Sequence, residues 1–253
     1  MDDSQPDAPT YDRLGLGYAR YRQVEPTWME AVRKALGQAH TVVNVGAGSG
    51  SYEPSDRAVT AIEPSLVMIK QRPQSAAPVV CAVAEALPFR SNSFDASLAV
   101  FTVHHWTDAD AGLAEMRRVA SRQVVLTWDP VVSAKAFWFA RDYLPEVYER
   151  ERHLATLEKV VVGLGSNVKV VPLPVPADCA DGVLAAYWRR PQAYLDPAVR
   201  AAVSTLSLLP TPVVDSAVKR LENDLDDGAW SKRYQNLSNL DSLDLGYRLV
   251  ISG

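Results

Sequence analysis

A glycine-rich turn directly after a short apolar segment is the feature that most constrains the fold of this chain. Residues 41–45 (TVVNV) form an apolar, largely β-branched run that is typical of a buried strand. Three of the chain's 13 glycines follow at alternate positions, Gly46, Gly48 and Gly50. Because glycine permits positive φ and lets a ligand approach the bare backbone, the pattern predicts a nucleotide-binding turn at the end of a strand.

Strands and helices alternate through the first half of the chain. The predicted strands are residues 41–45, 58–62, 78–81, 96–103 and 123–128, and the predicted helices are residues 25–36, 65–71 and a segment that begins at Thr107. Thr107, with Asp110 three residues later, has the spacing of a capping box, which places the start of the third helix. Nearly continuous apolar strands that alternate with helices predict an α/β fold with a parallel sheet covered on both faces.

The second half of the chain is less regular. Residues 134–160 are mostly helical in pattern, residues 167–175 alternate like a strand, and prolines interrupt the helical pattern of residues 179–240. Residues 246–252 (GYRLVIS) are typical of a final strand. We therefore expect residues 131–245 to include a helical, cap-like insertion, after which the C-terminus returns to the sheet.

The composition limits the partners of the chain. A formal net charge of -4 argues against a broad nucleic-acid-binding surface. No apolar run approaches the roughly 18 residues that a transmembrane helix needs, and residues 1–6 lack the basic start and apolar core of a signal peptide. Two cysteines, Cys81 and Cys179, fit free thiols in a reducing compartment. We expect a cytoplasmic protein that binds neither nucleic acid nor membrane, and its oligomeric state stays open.

An acidic residue lies at the distance from the turn that a nucleotide site requires. Glu63 follows the second predicted strand, 17 residues after Gly46, where a doubly wound sheet places the carboxylate that binds ribose hydroxyls. The spacing G-x-G-x-G differs from the G-x-G-x-x-G of dinucleotide sites. Glu53 would lie near the start of a helix expected after the turn, with no Lys or Arg nearby to bind a pyrophosphate. A positive sulfonium without phosphate fits better, so the pattern favours S-adenosylmethionine over a nicotinamide dinucleotide.

Four motifs, which include the glycine turn and Glu63, together carry a resemblance to a known family. They are residues 42–50 (VVNVGAGSG), 61–65 (AIEPS), 84–89 (AEALPF), and 93–95 with 103–106 (SFD and VHHW). In this order and spacing they resemble the class I S-adenosylmethionine-dependent methyltransferases, and most closely the branch of ubiquinone/menaquinone-pathway and trans-aconitate methyltransferases. The resemblance covers about residues 40–130.

The resemblance implies a doubly wound, mostly parallel sheet of seven strands, the Rossmann-like methyltransferase fold, whose last strand is antiparallel. We expect a single domain over residues 1–253. In it, residues 38–130 form the cofactor-binding half, residues 131–245 a mostly helical region on the substrate side, and residues 246–253 the final strand. The implied activity is transfer of a methyl group from S-adenosylmethionine to a small-molecule acceptor, with S-adenosylhomocysteine as product.

The resemblance also implies roles for individual residues. The glycine turn would pass beneath the methionine portion of the cofactor, Glu63 would bind the ribose, and Met68 and the Ala84 backbone would contact the adenine. The segment from Thr102 to Trp106 would border the transferable methyl. The full set implied to bind the cofactor is Tyr18, Arg22, Asn44, Gly46, Ala47, Gly48, Gly50, Glu63, Pro64, Met68, Ala84, Glu85 and Thr102.

Two positions depart from the family pattern. Members usually carry an acid where Asn44 stands, and an Asp or Asn where Val83 stands. Val83 cannot accept a hydrogen bond from the adenine amino group, and one missing hydrogen bond costs about 0.5–1.5 kcal/mol. Glu85 could substitute for that acceptor, or it could be an ordinary surface charge.

Direct displacement at a sulfonium needs alignment and exclusion of water, and a base only when the acceptor must lose a proton. His104 and His105 follow the fourth predicted strand and are the candidate bases, with His105 preferred; each could instead pack under the cofactor or bond a carbonyl. Adjacent histidines on an extended chain point in opposite directions, so no metal site is expected. The aromatic residues predicted to line a substrate pocket are Tyr11, Trp106, Trp128 and Trp138.

Three other functions stay open at this point. Relatives of this fold use bound S-adenosylmethionine for cyclisation or as a structural element, and fold does not fix reaction. A nicotinamide-dependent oxidoreductase and a binding module without catalysis are the remaining alternatives. The acceptor atom, whether oxygen, nitrogen or carbon, is equally open.

Overall fold

The computed structural model describes residues 23–154 and 156–253. Within these residues one sheet has seven strands in the order β3-β2-β1-β4-β5-β9-β6. Its strands are β1 (Thr41–Val45), β2 (Ala58–Ile62), β3 (Val79–Val80), β4 (Phe94–Val100), β5 (Ala120–Trp128), β6 (Lys169–Pro172) and β9 (Tyr247–Ser252). A second, two-stranded sheet pairs β7 (Val175–Pro176) with β8 (Ser242–Leu243).

The sheet confirms the predicted doubly wound, mostly parallel architecture. Strands β1 to β5 pair in parallel, and β9 pairs antiparallel with both β5 and β6. The central strands are apolar and fully buried, as Val42, Val43 and Leu98 show. Strands buried on both faces need helices above and below the sheet, and two apolar clusters occupy those two layers.

The helices in the described residues are short. They are α1 (Pro26–Leu36), α2 (Leu66–Lys70), α3 (Ala109–Val119), α4 (Pro130–Ala136), α5 (Glu146–Glu151), α6 (Leu157–Leu164), α7 (Pro197–Ala202), α8 (Ser204–Leu208), α9 (Thr211–Asp226) and α10 (Ala229–Arg233). Single-turn 3₁₀ segments and a π turn at Phe139–Tyr143 connect several of them.

The start of α3 differs from the prediction. Asp108, and not Thr107, caps this helix: its carboxylate accepts a hydrogen bond from the Ala111 N–H at 3.0 Å. Aspartate and threonine are both good capping residues, and the capping hydrogen bond forms one residue after the predicted position. The apolar face of α3 is buried against the sheet through Leu113, Met116 and Val119.

The crossover from β1 to β2 contains turns and no helix, although a helix was expected directly after the glycine turn. Residues 46–57 are all described, and they run from Gly46 to the start of β2 at Ala58 through Tyr52, which has φ 58°, and Pro54. A proline and a left-handed residue interrupt any helix in so short a segment. The expected helix start beside Glu53 is therefore wrong.

Strand β4 ends earlier than predicted. The sequence pattern extended it to residue 103, but the strand stops at Val100 because Phe101 adopts a left-handed conformation with φ 51°. The Phe101 N–H still donates to the Leu126 carbonyl at 2.9 Å, which fixes the kink against β5. Residues Val103–His105 then form one 3₁₀ turn.

The second half combines sheet and helix more closely than a separate cap would. The predicted strand over residues 167–175 is divided between β6, at the edge of the main sheet, and β7. Residues 179–190, expected to be helical, form turns instead. None of the helices in the two described ranges combines the length and apolarity that crossing a bilayer requires.

Candidate functional site

Five chain segments meet at one edge of the sheet. The parallel strands β1, β2, β4 and β5 end there at Val45, Ile62, Val100 and Trp128. The antiparallel β9 begins at the same edge, because Tyr247 pairs with Trp128. In open α/β sheets, ligands bind in the crevice outside the carboxyl ends of the strands. This edge of the sheet is therefore the candidate site.

The glycine turn has a backbone conformation that is unfavourable for residues with a side chain. Gly46, Gly48 and Gly50 have φ of 70°, 54° and 95°, in the left-handed region that favours glycine. A Cβ on Gly46 would lie 2.0 Å from the Oγ1 atom of Thr102. The turn therefore packs directly onto the segment that follows β4, and Gly46 is required for that close approach.

The carboxylate of Glu63 is held at the end of β2 by backbone donors. Its Oε2 atom accepts from the Gly48 N–H at 2.7 Å, and its Oε1 atom accepts from the Ser65 N–H at 2.8 Å. These two backbone hydrogen bonds fix the position of the carboxylate at the end of β2. The predicted pairing of the glycine turn with Glu63 is present in the fold as a direct contact.

A buried ion pair contacts the glycine turn and supports it. The Arg72 guanidinium lies 2.7 Å from the Glu53 carboxylate, and the two side chains are 5% and 7% exposed. Arg72 also donates to the carbonyls of Gly48 and Ala77. The prediction that no Arg lies near Glu53 is wrong. Arg72, which follows α2 and lies 19 residues after Glu53 in sequence, donates to the Glu53 carboxylate. These bonds occupy the guanidinium inside the fold.

This ion pair explains the departure at Asn44. The Asn44 side chain is 2% exposed, and its Nδ2 atom donates to the Glu53 Oε1 atom at 3.4 Å. An aspartate at this position would face the Glu53 carboxylate in a buried setting, where two like charges oppose each other's ionisation. Asn44 therefore lies under the turn as part of its support.

The residues predicted to contact the adenine lie in and around α2 and the segment after β3. Met68 is buried, with its Cε atom near Gly48, and Ala84 is 5% exposed. Val83 is 47% exposed. The Glu85 carboxylate accepts from the Asp108 N–H at 3.1 Å, so it joins the residue-84 segment to the start of α3.

Pro64 and Ala47 complete the described part of the predicted cofactor set. The Pro64 carbonyl accepts a weak hydrogen bond from the Cys81 thiol, at 3.7 Å. The Ala47 N–H, like that of Gly46, donates to the Ile62 carbonyl at the end of β2. Tyr11, Tyr18 and Arg22 lie outside the described residues.

A cavity of about 290 Å³ lies over the ends of β4, β5 and β9. It is lined by the aromatic rings of Phe101, Trp128 and Tyr247, by the two predicted histidines, and by the helical region through residues 182–184 and 203–205. A volume near the lower end of the usual range for small-molecule sites limits the size of a ligand. The cavity brings together the sheet edge and the helical half of the chain.

Both predicted histidines line this cavity, but their relative orientation differs from the prediction. His104 and His105 lie on the 3₁₀ turn after β4, and their ring centroids are 3.7 Å apart. They do not point in opposite directions, because the strand ends at Val100 and a 3₁₀ turn replaces the extended backbone. The His104 and Trp128 rings also form a T-shaped contact, with 4.6 Å between their centroids.

Glu151 is a cavity residue that the sequence analysis missed. It lies at the end of α5 and is 4% exposed, and its Oε2 and Oε1 atoms accept from Trp128 Nε1 and Thr205 Oγ1, each at 2.9 Å. Burial raises the pKa of Glu151 to about 7. One sequence signal was available: Glu151 stands four residues after the buried Val147, on the apolar face of α5.

The predicted substrate-pocket tryptophans have different positions. Trp128 lines the cavity. Trp106 donates through Nε1 to Thr102 Oγ1 at 3.2 Å and packs onto Gly112 of α3. The predicted place of Trp138 in the substrate pocket is wrong. Its side chain is 1% exposed, and its Nε1 atom donates to the Trp188 carbonyl at 2.7 Å. The rings that enclose Trp138 are Phe137, Phe139, Tyr143, Tyr194, Trp230 and Tyr234, so it belongs to the core of the helical region.

Comparison with protein families identifies one match, to the methyltransferase domain, over residues 43–127. This range contains the glycine turn, Glu63 and the two cavity histidines. Demethylmenaquinone methyltransferase of Corynebacterium kroppenstedtii is 32% identical over 102 residues, which are 38% of this chain and 44% of that protein. The chain therefore spans less than half of the length of this relative. An uncharacterized protein of Methanocaldococcus jannaschii is 23% identical over 168 residues, 63% of this chain and 67% of that protein.

The structural comparison extends over almost the whole chain. A crystal structure from Anabaena variabilis, described as a methyltransferase from an antibiotic biosynthesis pathway, has a TM-score of 0.84 and 28% sequence identity. The match covers 92% of this chain and 99% of that one. The helical region, which the family match leaves out, is therefore shared with this structure.

Proposed function

Because this chain belongs to the class I S-adenosylmethionine-dependent methyltransferases, we propose that it methylates a small-molecule acceptor held in the cavity over β4, β5 and β9. The observation that carries the proposal is the shared position of two features. The glycine turn with Glu63 and the cavity with its two histidines lie at one edge of the sheet, in contact through Gly46 and Thr102.

The residues at the turn fit S-adenosylmethionine. Glu63, fixed by two backbone N–H groups, is the acceptor for the ribose hydroxyls, and the turn from Gly46 to Gly50 supports the methionine portion. Arg72 donates to Glu53 and to two backbone carbonyls, so this guanidinium is not available to bind a pyrophosphate. When bound, the cofactor supplies a methyl group on a positively charged sulfur.

The cavity residues position the acceptor. The rings of Phe101, Trp128 and Tyr247 restrict its orientation and exclude water, and well-oriented reactants gain about 7–11 kcal/mol over the same reaction in solution. With S-adenosylmethionine held at the turn, its sulfonium would supply the methyl group by direct displacement, and the electron pair of the broken carbon–sulfur bond would remain on sulfur. His105 accepts the proton that a hydroxyl, amine or acidic-carbon acceptor loses.

The comparisons support a small acceptor. The Anabaena variabilis structure that shares both halves of this chain is described as part of antibiotic biosynthesis, and the Corynebacterium relative is described as acting on demethylmenaquinone. A cavity of about 290 Å³ lies at the lower end of the range for small-molecule sites, so it fits a small acceptor.

Calorimetry with S-adenosylhomocysteine tests the cofactor part of the proposal. We expect binding by the unmodified protein, and a loss of roughly 10–100-fold in affinity for Glu63→Ala, since hydrogen bonds to a charged group contribute about 1.5–3 kcal/mol. Glu30→Ala is the matched control because its side chain is 58% exposed on α1. A thermal shift produced by NADH, with no response to S-adenosylhomocysteine, would contradict the assignment.

Methyl transfer is tested with labelled S-adenosylmethionine and a panel of hydroxyl, amine and acidic-carbon acceptors. We expect label in at least one product, and His105→Ala lowers the rate by about 10²–10⁴-fold if this residue is the base. His153, which does not line the cavity, provides the control variant His153→Ala. Tight binding of the cofactor with no transfer to any acceptor would favour a cyclase or structural role instead.

A further inference from the structure

A buried carboxylate in the cavity has neutral hydrogen-bond partners and, among the residues that the structure describes, no ion-pair partner. Glu151 accepts from the Trp128 indole and from the Thr205 hydroxyl. Within residues 23–154 and 156–253, no Lys, Arg or His nitrogen lies within 4.0 Å of its oxygens. Buried carboxylates are usually paired with a cation, since an isolated buried charge is costly. The fold itself therefore does not explain why an acid stands at this position.

The cationic groups around the cavity do not neutralise Glu151. Arg150 lines the cavity, but its influence on the pKa of Glu151 is smaller than that of burial or of either hydrogen bond. The Trp128 ring contacts His104 on one side and donates to Glu151 on the other. The indole therefore stands between Glu151 and the histidine turn.

The surroundings of Glu151 match the chemistry of amine recognition. Trp128 places an aromatic ring directly beside the carboxylate, and Leu184 and Val203 add apolar contacts to the lining. Aromatic faces attract organic cations, and a carboxylate in a site of low dielectric attracts them strongly. A neutral hydroxyl acceptor would gain a hydrogen bond from such a site, but it would leave the carboxylate charge uncompensated.

We propose that Glu151 is an acceptor-binding residue, and that the methyl acceptor is an organic amine whose protonated nitrogen pairs with the Glu151 carboxylate. This inference rests on the proposed function and specifies its substrate class. Glu151 anchors one end of the acceptor, and the nucleophilic atom of the acceptor is presented toward the histidine turn at the other side of Trp128. The raised pKa of Glu151 then falls when the amine binds, because a nearby positive charge favours the ionised carboxylate.

Calorimetry at pH 8 with the protein saturated by S-adenosylhomocysteine tests this assignment. The probes are 2-phenylethylamine and its neutral counterpart 2-phenylethanol, which share their carbon skeleton. We expect the amine to bind at least about tenfold more tightly than the alcohol, as charge-assisted pairing in a buried site predicts. Glu151→Gln should remove this preference, because the amide oxygen can still accept from the Trp128 indole and the amide N–H can donate to the Thr205 hydroxyl, while the negative charge is lost.

Glu149→Gln is the matched control. Glu149 lies on the same helix, its side chain is 65% exposed, and it does not line the cavity, so this variant should keep the preference for the amine. Equal affinity for the two probes, absent binding of the amine, or a preference that persists in Glu151→Gln would each overturn the assignment.

A pH series on the unmodified protein and on Glu151→Gln provides a second measurement, in which the variant subtracts any contribution from His104, His105 and Arg150, the other charged or titratable residues of the cavity. Between pH 8 and pH 6 the amine stays protonated while Glu151 takes up a proton, so its affinity should fall by roughly tenfold. A pH-independent affinity would also overturn the assignment. Binding of S-adenosylhomocysteine is measured first in each sample, so a failed cofactor site is distinguished from a cavity that binds cofactor but does not select amines.

Discussion

Two buried carboxylates at the same sheet edge have opposite surroundings. Glu53, under the glycine turn, is paired with Arg72 and accepts further hydrogen bonds from Asn44 and from the Ala77 N–H. Glu151, in the cavity, accepts from one indole and one hydroxyl and has no ion pair in the described residues. The first charge is neutralised within the fold, whereas the second is left to be neutralised by protonation or by a ligand.

The difference in surroundings distinguishes a carboxylate that supports the fold from one that can take part in function. A carboxylate whose charge and hydrogen bonds are satisfied by the chain stabilises local geometry, as Glu53 does beside the glycine turn through its pair with Arg72. A carboxylate with a pKa near neutrality and an opening to a cavity can respond to a bound molecule. Burial alone would not distinguish the two, because Glu53 and Glu151 are both almost fully buried.

Removal of Arg72 should have the largest effect. Arg72→Met leaves the Glu53 charge buried without its partner, and breaking such a pair costs about 3–5 kcal/mol. We expect this loss in the free energy of unfolding, measured with urea, together with weaker binding of S-adenosylhomocysteine because the Gly48 carbonyl loses its donor.

Arg33→Met is the control for this variant. Arg33 lies 3.8 Å from Asp56 at the surface, where the side chains are 39% and 51% exposed, and exposed pairs contribute about 0–1 kcal/mol. If the two variants lost similar stability, the Glu53–Arg72 pair would not be the support of the turn.

The pH dependence of stability should identify Glu151 as the unpaired acid. Its pKa is raised from 4.5 to about 7 in the folded protein, so the folded state holds one more proton than the unfolded state between these values. Stability therefore falls as the pH rises through this window, by on the order of 3 kcal/mol. We expect Glu151→Gln to lack this component when unfolding is measured from pH 4.5 to pH 8. Identical pH profiles for the variant and the parent would place the raised pKa elsewhere.

Two glycine variants should show the smallest difference and test how tightly the turn is packed. Gly46→Ala and Gly228→Ala both impose a side chain on positive φ, 70° and 78°, which costs of order 1–3 kcal/mol in each case. Only the Gly46 variant also drives a Cβ into Thr102, whereas nothing lies within 4 Å of a Cβ at Gly228.

We expect the free energy of unfolding of the Gly46 variant to be lower than that of the Gly228 variant by about 1–3 kcal/mol, the typical cost of overpacking. Thermal and urea unfolding of the two proteins measure this difference. Equal losses would mean that the Thr102 side chain moves aside at little cost.

Periodicity and turn chemistry predicted the cofactor half well. The strand over residues 41–45, the helix that ends at Gly37, and the acid at the end of β2 all follow from local patterns, since buried parallel strands and caps leave clear signals in sequence. The kink at Phe101 was missed because left-handed φ at a bulky residue has no local signature. The capping residue of α3 was misplaced by one position for a similar reason, as adjacent Thr107 and Asp108 are both suitable.

The helical region was predicted less well because distant contacts decide its structure. Trp138 was assigned to a substrate pocket from its aromatic character, but residues up to about 96 positions away in sequence enclose it, as the contact with Tyr234 shows. Glu151 was overlooked because its significance depends on Trp128 and Thr205, which no spacing rule connects to it.

The sequence by itself determined the glycine turn, the acid that pairs with it and the doubly wound sheet, because each depends on residues close together in the chain. Only the tertiary structure decided what surrounds each charge. It brought Arg72 to Glu53, and it left Glu151 with neutral donors beside a cavity. The energy of a buried charge depends on every group within a few ångströms, and those groups come from segments that only the folded chain brings together.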